Sequence, residues 1–265
     1  MQLTNELADR NADLTTVTIR PYQPGDEKEV VALWNRCLPR DEISLTIFRR
    51  KIILDPNFDP HACITAVAGN KVVGFTLGIC RRYPYYDLGL EPGKGWITVF
   101  FVHPDYRRQG VATRMLQSTE ESLTARSVRQ IIVSDYTPNY FIPGVDLDAY
   151  AAGHLFLKAR GYKKSENMYG MGRSLMDFEV PAEMGDLSNK LLQAGFQVKL
   201  FQPEYTLQAL EFLRKHYPGD LFKVALERLT EDPECDEILV ALKGEQVIGF
   251  SHFLDERFGP FGIDP

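Results

Sequence analysis

Cysteine is scarce in this chain of 265 residues, and its few positions are scattered. No two of them form a Cys-x-x-Cys pair; they are Cys37, Cys63, Cys80 and Cys235. This spacing argues against a zinc site and against a disulfide-stapled secreted fold. We therefore expect reduced thiols in the core and no bound metal.

Long apolar runs and basic stretches are also missing. No 18 consecutive residues are apolar, and residues 1–7 lack the basic and apolar parts of a signal peptide. The net charge is −6, and no basic segment is interleaved with aromatic residues. We expect a cytoplasmic protein without membrane or nucleic-acid partners. The apolar fraction of 44% is ordinary for a globular protein of one large or two small domains.

The most informative segment is residues 102–113, VHPDYRRQGVAT. An apolar run at 96–102 precedes it, and a helical pattern through Val111, Met115 and Leu123 follows. A strand, a basic turn containing glycine and a helix would leave backbone N–H groups free at the helix N-terminus. Such a site suits a pyrophosphate, because the helix dipole also favours negative charge there. An ordinary basic helix start is the alternative. There is neither a Gly-x-Gly-x-x-Gly helix start nor a Walker loop.

The spacing Arg107-x-x-Gly110-x-Ala112 resembles the acyl-CoA pyrophosphate loop of the GNAT superfamily of N-acetyltransferases. The resemblance implies an α/β (α+β) fold, with a mixed, mostly antiparallel sheet flanked by helices and a splay between its two central parallel strands. It also implies acetyl-CoA as cofactor. The residues expected to bind it are Phe100, Phe101, Val102, Arg107, Arg108, Gln109, Gly110, Val111, Ala112 and Thr113. Of these, the backbone near 100–102 would hold the acetyl carbonyl.

Hydrophobic patterning predicts the element order β-α-α-β-β-β-α-β-α-β-β for the first part of the chain. The second helix is expected from about 41 to 54, and the last strands from Tyr162 through Met168 and Leu175.

This chain departs from the family pattern at the position of the general acid. Where the resemblance implies a tyrosine after Phe156, this chain has Leu157, which cannot donate a proton. The loop after the strand at 129–134 is polar and aromatic, and Asp135 or Tyr136 is our candidate for the base. Candidate acceptor-binding residues are Tyr83, Tyr85, Tyr140 and Asp146. A solvated loop with packed aromatics is the alternative for each of them.

The C-terminal part repeats the first half of the chain. Residues 198–204 resemble 17–24, and 238–250 resemble 64–75. We predict an N-terminal GNAT acyl-CoA-binding domain at 16–180 and a partial second GNAT-like domain at 181–265. The second copy as given lacks a pyrophosphate loop, and we favour truncation over a natural half-domain. An unfinished copy would expose an apolar edge around Phe250, Phe253, Phe258 and Phe261, whereas a finished lid would cover it.

The residues predict transfer of acetyl from acetyl-CoA to a primary amine of a small molecule, and a homodimer is expected. A non-catalytic acyl-CoA-binding or regulatory domain, with catalysis in the missing part of the second copy, is the alternative.

Overall fold

The computed structural model describes residues 16–137, 139, 144–167, 169, 174 and 176–253. The strands are β1 Val17–Pro21, β2 Cys63–Ala68, β3 Lys71–Ile79, β4 Lys94–Val102, β5 Gln130–Val133, β6 Phe196–Leu200, β7 Ile238–Lys243 and β8 Gln246–His252. The helices are α1 Glu27–Cys37, α2 Leu45–Phe48, α3 Val111–Thr124, α4 Ala151–Ala159, α5 Glu183–Gln193, α6 Thr206–His216 and α7 Asp220–Glu231. A π-helical turn, Arg49–Ile53, continues α2.

The first sheet has the order β1-β2-β3-β4-β5. Its first four strands pair antiparallel, and β5 joins β4 in parallel. Helices cover both faces, so the predicted mixed, mostly antiparallel sheet flanked by helices is confirmed. A second sheet of three strands follows, in the order β6-β7-β8.

Each face of the first sheet has its own core. On one face, Trp34 of α1 meets Phe101 edge to face at 5.6 Å, and Phe75 lies 5.7 Å from Phe101. On the other face, α3 buries Val111 and Met115. Glycine permits the close approach of α3, since a Cβ added at Gly74 would lie 2.7 Å from Met115 Sδ.

The contacts divide the chain into two compact units. Unit 1 contains residues 16–82 and Pro92–Tyr136, and unit 2 contains Tyr83–Glu91 and the described residues after Tyr136. This division differs from the predicted boundary at 180/181, because α4 and the connection between β3 and β4 have their contacts within unit 2.

Unit 2 buries one face of its sheet under α6 and α7. Ile238, Val240 and Leu242 point into a core with Ala209 and Leu229. A neighbouring cluster of Leu213, Phe222 and Ala225 joins the two helices. These buried faces follow the helical spacing of apolar residues in the sequence.

The pairing within the second sheet repeats that of β1, β2 and β3. Ala66 lies opposite Gly74 in the first sheet, and Ala241 lies opposite Gly249 in the second. In both sheets a register shift comes directly after that alanine. The same local geometry therefore recurs where the sequence repeats.

The other face of the second sheet is open among the described residues. Val198 is 64% exposed, and Leu200 is 50% exposed. Phe253 is 45% exposed and Phe250 is half-buried, while Phe258 and Phe261 lie outside the described residues.

Three local predictions differ from the structure. The helix expected from residue 41 begins only at Leu45, because Ser44 caps it by accepting from Ile47 N–H at 3.2 Å. The strand expected from Tyr162 is irregular over the described residues 162–167, and Met168 and Leu175 lie outside them. Helix α5 had no counterpart in the predicted element order.

We expect Gly78→Ala to destabilise the fold by about 1–3 kcal/mol, since overpacking forces backbone shifts. The new Cβ would lie 2.5 Å from Thr119 Cγ2 and 2.9 Å from the backbone oxygen of Ala62. Urea unfolding measures the change. Gly185→Ala is the control, because its Cβ would meet nothing within 4 Å and alanine favours the helix. Equal stability of both variants would contradict this account.

Candidate functional site

Strand β4 has two different edges. Its β3 edge is paired from Trp96 to Val102, with a register shift that leaves Thr98 as an extra residue. Its β5 edge is paired only from Lys94 to Ile97. Among the described residues, no strand pairs with the β5 edge of β4 beyond Ile97. The strand pairing of β4 is therefore shorter on this edge than on its β3 edge.

At the end of β5 the chain turns away from β4 through two residues in the left-handed backbone conformation. Ser134 N–H, directly after β5, donates to Ile97 O at 2.8 Å. Ser134 then has φ +66° and Asp135 has φ +55°. Residues other than glycine rarely adopt this conformation, and at functional sites the surrounding structure holds them in it. Asp135 is exposed at this turn.

The predicted pyrophosphate loop has the expected strand-turn-helix form. A 3₁₀ turn, Pro104–Tyr106, follows β4, and Gly110 precedes α3 with φ +78°. The first intrahelical bond runs from Arg114 N–H to Gly110 O at 3.0 Å. The N–H groups of Val111 and Ala112 therefore have no acceptor within the helix.

Two basic residues, Arg107 and Arg108, lie just before the start of α3. The first turn of α3 contains no acidic residue. Arg107, Arg108 and Gln109 are exposed, whereas Val111 is buried in the core. Arg107 Nε donates to Val102 O at 2.9 Å, which ties the loop to the end of β4. The side chain of Val111 thus anchors the start of α3 in the core.

Asp135 is exposed, whereas Tyr136 is buried. Its side chain is fully buried, and its hydroxyl donates to Asp55 Oδ1 at 3.1 Å and accepts from Asn57 Nδ2 at 3.0 Å. Burial, followed by the nearby charge of Asp55, raises its pKa. The Arg81 guanidinium lies 5.1 Å from its ring centroid. A neutral tyrosine with its hydroxyl engaged is a poor base, so this environment favours Asp135.

The other predicted residues lie in unit 2 or outside the described residues. Tyr83 is 59% exposed, whereas Tyr85 is 7% exposed. Asp146 Oδ1 accepts from Asp148 N–H at 2.8 Å and Ala149 N–H at 2.9 Å, as a turn before α4. Leu157 is buried in α4. Tyr140 lies outside the described residues.

The cluster of Asp55, Asn57 and Arg81 around Tyr136 was missed by sequence reasoning. Asn57 Oδ1 accepts from Arg82 N–H at 2.8 Å, so the cluster joins the segments after α2, β3 and β5. The hydrogen bond from Tyr136 to Asp55 joins residues that are 81 positions apart, and no local pattern in the sequence predicts it.

A cavity of about 290 Å³ lies beside the segment that precedes the loop. Its lining comes from α1, the start of β3 and the turn after β4, and includes Arg36, Lys71, His103 and Tyr106. None of its lining residues belongs to β4 or β5. Within the described residues there is no group of three potential metal ligands and no helix long and apolar enough to cross a membrane.

We expect Tyr136→Phe to lower the free energy of unfolding by about 1–3 kcal/mol, because it removes two buried hydrogen bonds and leaves their partners unsatisfied. Urea titration followed by tryptophan fluorescence measures this, since Trp96 lies 5.3 Å from the Tyr136 ring. Tyr83→Phe is the matched control at an exposed tyrosine and should change stability by less than about 0.5 kcal/mol. A wild-type-like Tyr136→Phe would show that the two bonds contribute nothing.

Known sequences match the region that contains the predicted pyrophosphate loop. The model of the acetyltransferase (GNAT) family matches residues 27–141. An acetyltransferase of Sodalis glossinidius is 30% identical over 116 residues, which are 43% of this chain and 71% of that protein. An acetyltransferase of Yersinia pseudotuberculosis is 30% identical over 111 residues, which are 41% of this chain and 68% of that protein.

Among solved structures, the glucosamine N-acetyltransferase region of a fungal multi-domain β-N-acetylglucosaminidase is similar with a TM-score of 0.64. The match is 18% identical and covers 89% of this chain, but only 27% of that chain. At this identity the likeness concerns the fold alone. The family match, the two relatives and the shared fold agree with the loop geometry, and the chain belongs to the GNAT family of acetyltransferases.

Proposed function

We propose that this protein transfers acetyl from acetyl-CoA to a primary amine of a small molecule. One observation carries the proposal. The part of β4 beyond Ile97, which pairs with no β5 residue among those described, runs directly into a basic loop and the N-terminus of α3. A thioester and a pyrophosphate joined by an extended arm need these two features in this order.

The donor side of the reaction rests on unit 1. Arg107 and Arg108 supply positive charge, and the N–H groups from Gln109 to Thr113 point along the start of α3, where an anion is favoured. The backbone of β4 near Phe100, Phe101 and Val102 would hold the pantetheine arm and polarise the thioester carbonyl. Hydrogen-bond donors at this position stabilise the oxyanion that forms when the amine attacks.

Asp135 is our candidate for deprotonating the amine, directly or through a water molecule. Its carboxylate is exposed at the turn where β5 parts from β4, whereas Tyr136 is buried and held neutral. The attacking nitrogen forms a C–N bond, the C–S bond breaks, and the CoA thiolate accepts a proton. Because Leu157 cannot supply that proton, water is the donor that we propose.

The acceptor-binding residues in this proposal are those that the sequence predicts. Tyr83 is the exposed candidate, and Asp146 has one carboxylate oxygen engaged in its turn. Tyr85 is buried and would act by shaping the loop, while Tyr140 completes the proposed set from the sequence alone.

The repeated register of the two sheets supports the tandem organisation, with a GNAT domain at 16–180 and a partial second copy at 181–265. The alternative function, acyl-CoA binding without catalysis, is favoured by Leu157. The two functions differ in one measurement, since a regulatory domain binds acetyl-CoA and acetylates no amine. We place the protein in the cytoplasm and keep the homodimer as part of the proposal.

Gly110→Asp should weaken CoA binding by at least about tenfold, because a carboxylate repels the pyrophosphate and blocks its approach. Isothermal titration calorimetry with CoA measures this. Gly93→Asp is the matched control, because Gly93 has φ +83° against +78° at Gly110 and neither Cβ would meet an atom within 4 Å. The two variants therefore share the backbone strain but differ in position. Equal CoA affinity of a folded Gly110→Asp variant and wild type would reject the proposed loop.

Leu157→Tyr should raise turnover on a generic primary amine, since general acid assistance contributes about 10²–10⁴-fold. Steady-state and single-turnover rates separate the chemical step from product release. Leu155→Tyr on the same helix is the control, because Leu155 is 63% exposed and Leu157 is buried. Unchanged turnover in a folded Leu157→Tyr variant, with thioester cleavage rate-limiting, would mean that another group already donates the proton.

A further inference from the structure

The cavity of about 290 Å³ beside the turn Pro104–Tyr106 has no part in the proposed acetyl transfer. Its lining comes from the last turn of α1, the start of β3 and that turn, all of which belong to unit 1. None of the lining residues is among those predicted to bind acetyl-CoA or the amine. The cavity is therefore a second recess on the unit that contains the predicted pyrophosphate loop.

Two cations line this cavity without a carboxylate partner among the described residues. They are Arg36 at the end of α1 and Lys71 at the start of β3. Other arginines of unit 1, namely Arg20, Arg49 and Arg126, each form an ion pair with a carboxylate. The positive charge at the cavity thus stands unbalanced within the described part of the chain.

Two carboxylates lie near the cavity, and neither neutralises these cations. Glu29 of α1 accepts from Val72 N–H at 2.8 Å, which ties the helix to β3. Asp105 lines the cavity, but its side chain is 75% exposed to solvent. The lining therefore carries two positive charges against one negative charge, and a bound anion would restore the balance.

The wall formed by the turn after β4 is fixed by contacts within the chain. His103 N–H donates to Val73 O at 2.8 Å, and the His103 and Tyr106 rings meet at 5.7 Å and 78°. His103 Nδ1 accepts from Asp105 N–H at 3.2 Å. The neutral imidazole then carries its proton on Nε2, which is a hydrogen-bond donor. A wall that is held in place before binding reduces the entropy lost when a ligand binds.

The charges and the volume of the cavity suit a phosphate group. The planar guanidinium of Arg36 matches phosphate oxygens, and Lys71 adds a compact charge. A phosphate dianion balances both cations, whereas a single carboxylate balances one. Ligand sites commonly have volumes of about 300–1,000 Å³, so a cavity at the lower end of this range suits a small ligand.

We propose that this cavity binds a small phosphate-bearing molecule, held by Arg36 and Lys71, with His103 as a further donor. Tyr106 is followed directly by Arg107, so the cavity and the predicted pyrophosphate loop share a turn of backbone but use different side chains. The site is separate from the loop, and its occupation does not depend on acetyl transfer.

The test titrates the full chain with inorganic phosphate and with phenyl phosphate by isothermal titration calorimetry, with and without saturating CoA. We expect both phosphates to bind in the presence of CoA. Arg36→Gln and Lys71→Gln should each weaken this binding by about three- to fivefold, as the loss of one partly exposed charge contact predicts. The double variant should weaken it by at least about tenfold, and the affinity for CoA should stay unchanged in all three. Tighter binding of phenyl phosphate would identify a phosphate ester and equal binding a free phosphate, and either result supports the inference.

Lys28→Gln is the matched control, because it removes the same charge from an exposed position of α1 that does not line the cavity. It should retain the wild-type affinity for both phosphates. Equal losses in Lys28→Gln and Lys71→Gln would reduce the effect to general attraction by surface charge and overturn the inference. A wild-type chain that binds neither phosphate would also overturn it.

The CoA arm separates the cavity from the donor loop. If CoA displaces both phosphates and the Arg36→Gln and Lys71→Gln variants lose affinity for CoA, the cavity belongs to the donor site and the inference fails. None of these outcomes decides the proposed function, which CoA binding and amine acetylation by the wild-type chain test separately.

Discussion

The parting of β4 and β5 at Ile97 is the constraint on which the site depends. A sheet strand normally satisfies the backbone groups on both of its edges, and β4 does so on its β3 side up to Val102. On the β5 side, Ser134 N–H, directly after β5, donates to Ile97 O. The next two residues turn the chain away in left-handed conformations, at positions where glycine would be the ordinary choice. The next residue, Tyr136, is buried, and its hydroxyl donates to Asp55. The turn that parts β5 from β4 is therefore followed directly by a residue anchored in the core.

This arrangement explains why one half of the candidate site could be predicted from the sequence and the other could not. The strand, the basic turn, Gly110 and α3 are contiguous, and each is determined by local preferences, such as the positive φ that glycine permits. The roles of Asp135 and Tyr136 depend on a different kind of information. Both follow the same strand and both can titrate, so sequence reasoning treated them alike. Their separation into an exposed carboxylate and a buried phenol comes from Asp55 and Asn57, which lie about eighty positions earlier in the chain.

The fold shows the same contrast between local and distant information. The alternation of apolar residues identified the strands of the first sheet, and the family resemblance supplied their mixed, mostly antiparallel arrangement. The π-helical turn Arg49–Ile53 and helix α5 were not foreseen, since an apolar pattern does not distinguish a π turn from an α-helix, and α5 buries none of its residues. The repeat in the sequence, by contrast, is matched by equivalent backbone hydrogen bonds in the two sheets. Tyr22 N–H donates to Cys63 O at 2.7 Å, and Phe201 N–H donates to Ile238 O at 2.8 Å at the corresponding place.

The two sheets differ in what covers them, and this difference bears on how function is divided. In unit 1, Met115 of α3 closes over Gly74, and the N-terminus of the same helix is the proposed pyrophosphate site. In unit 2, a Cβ at the corresponding Gly249 would meet only Ala241 Cβ, at 3.0 Å. Among the described residues, a helix closes over this glycine only in unit 1.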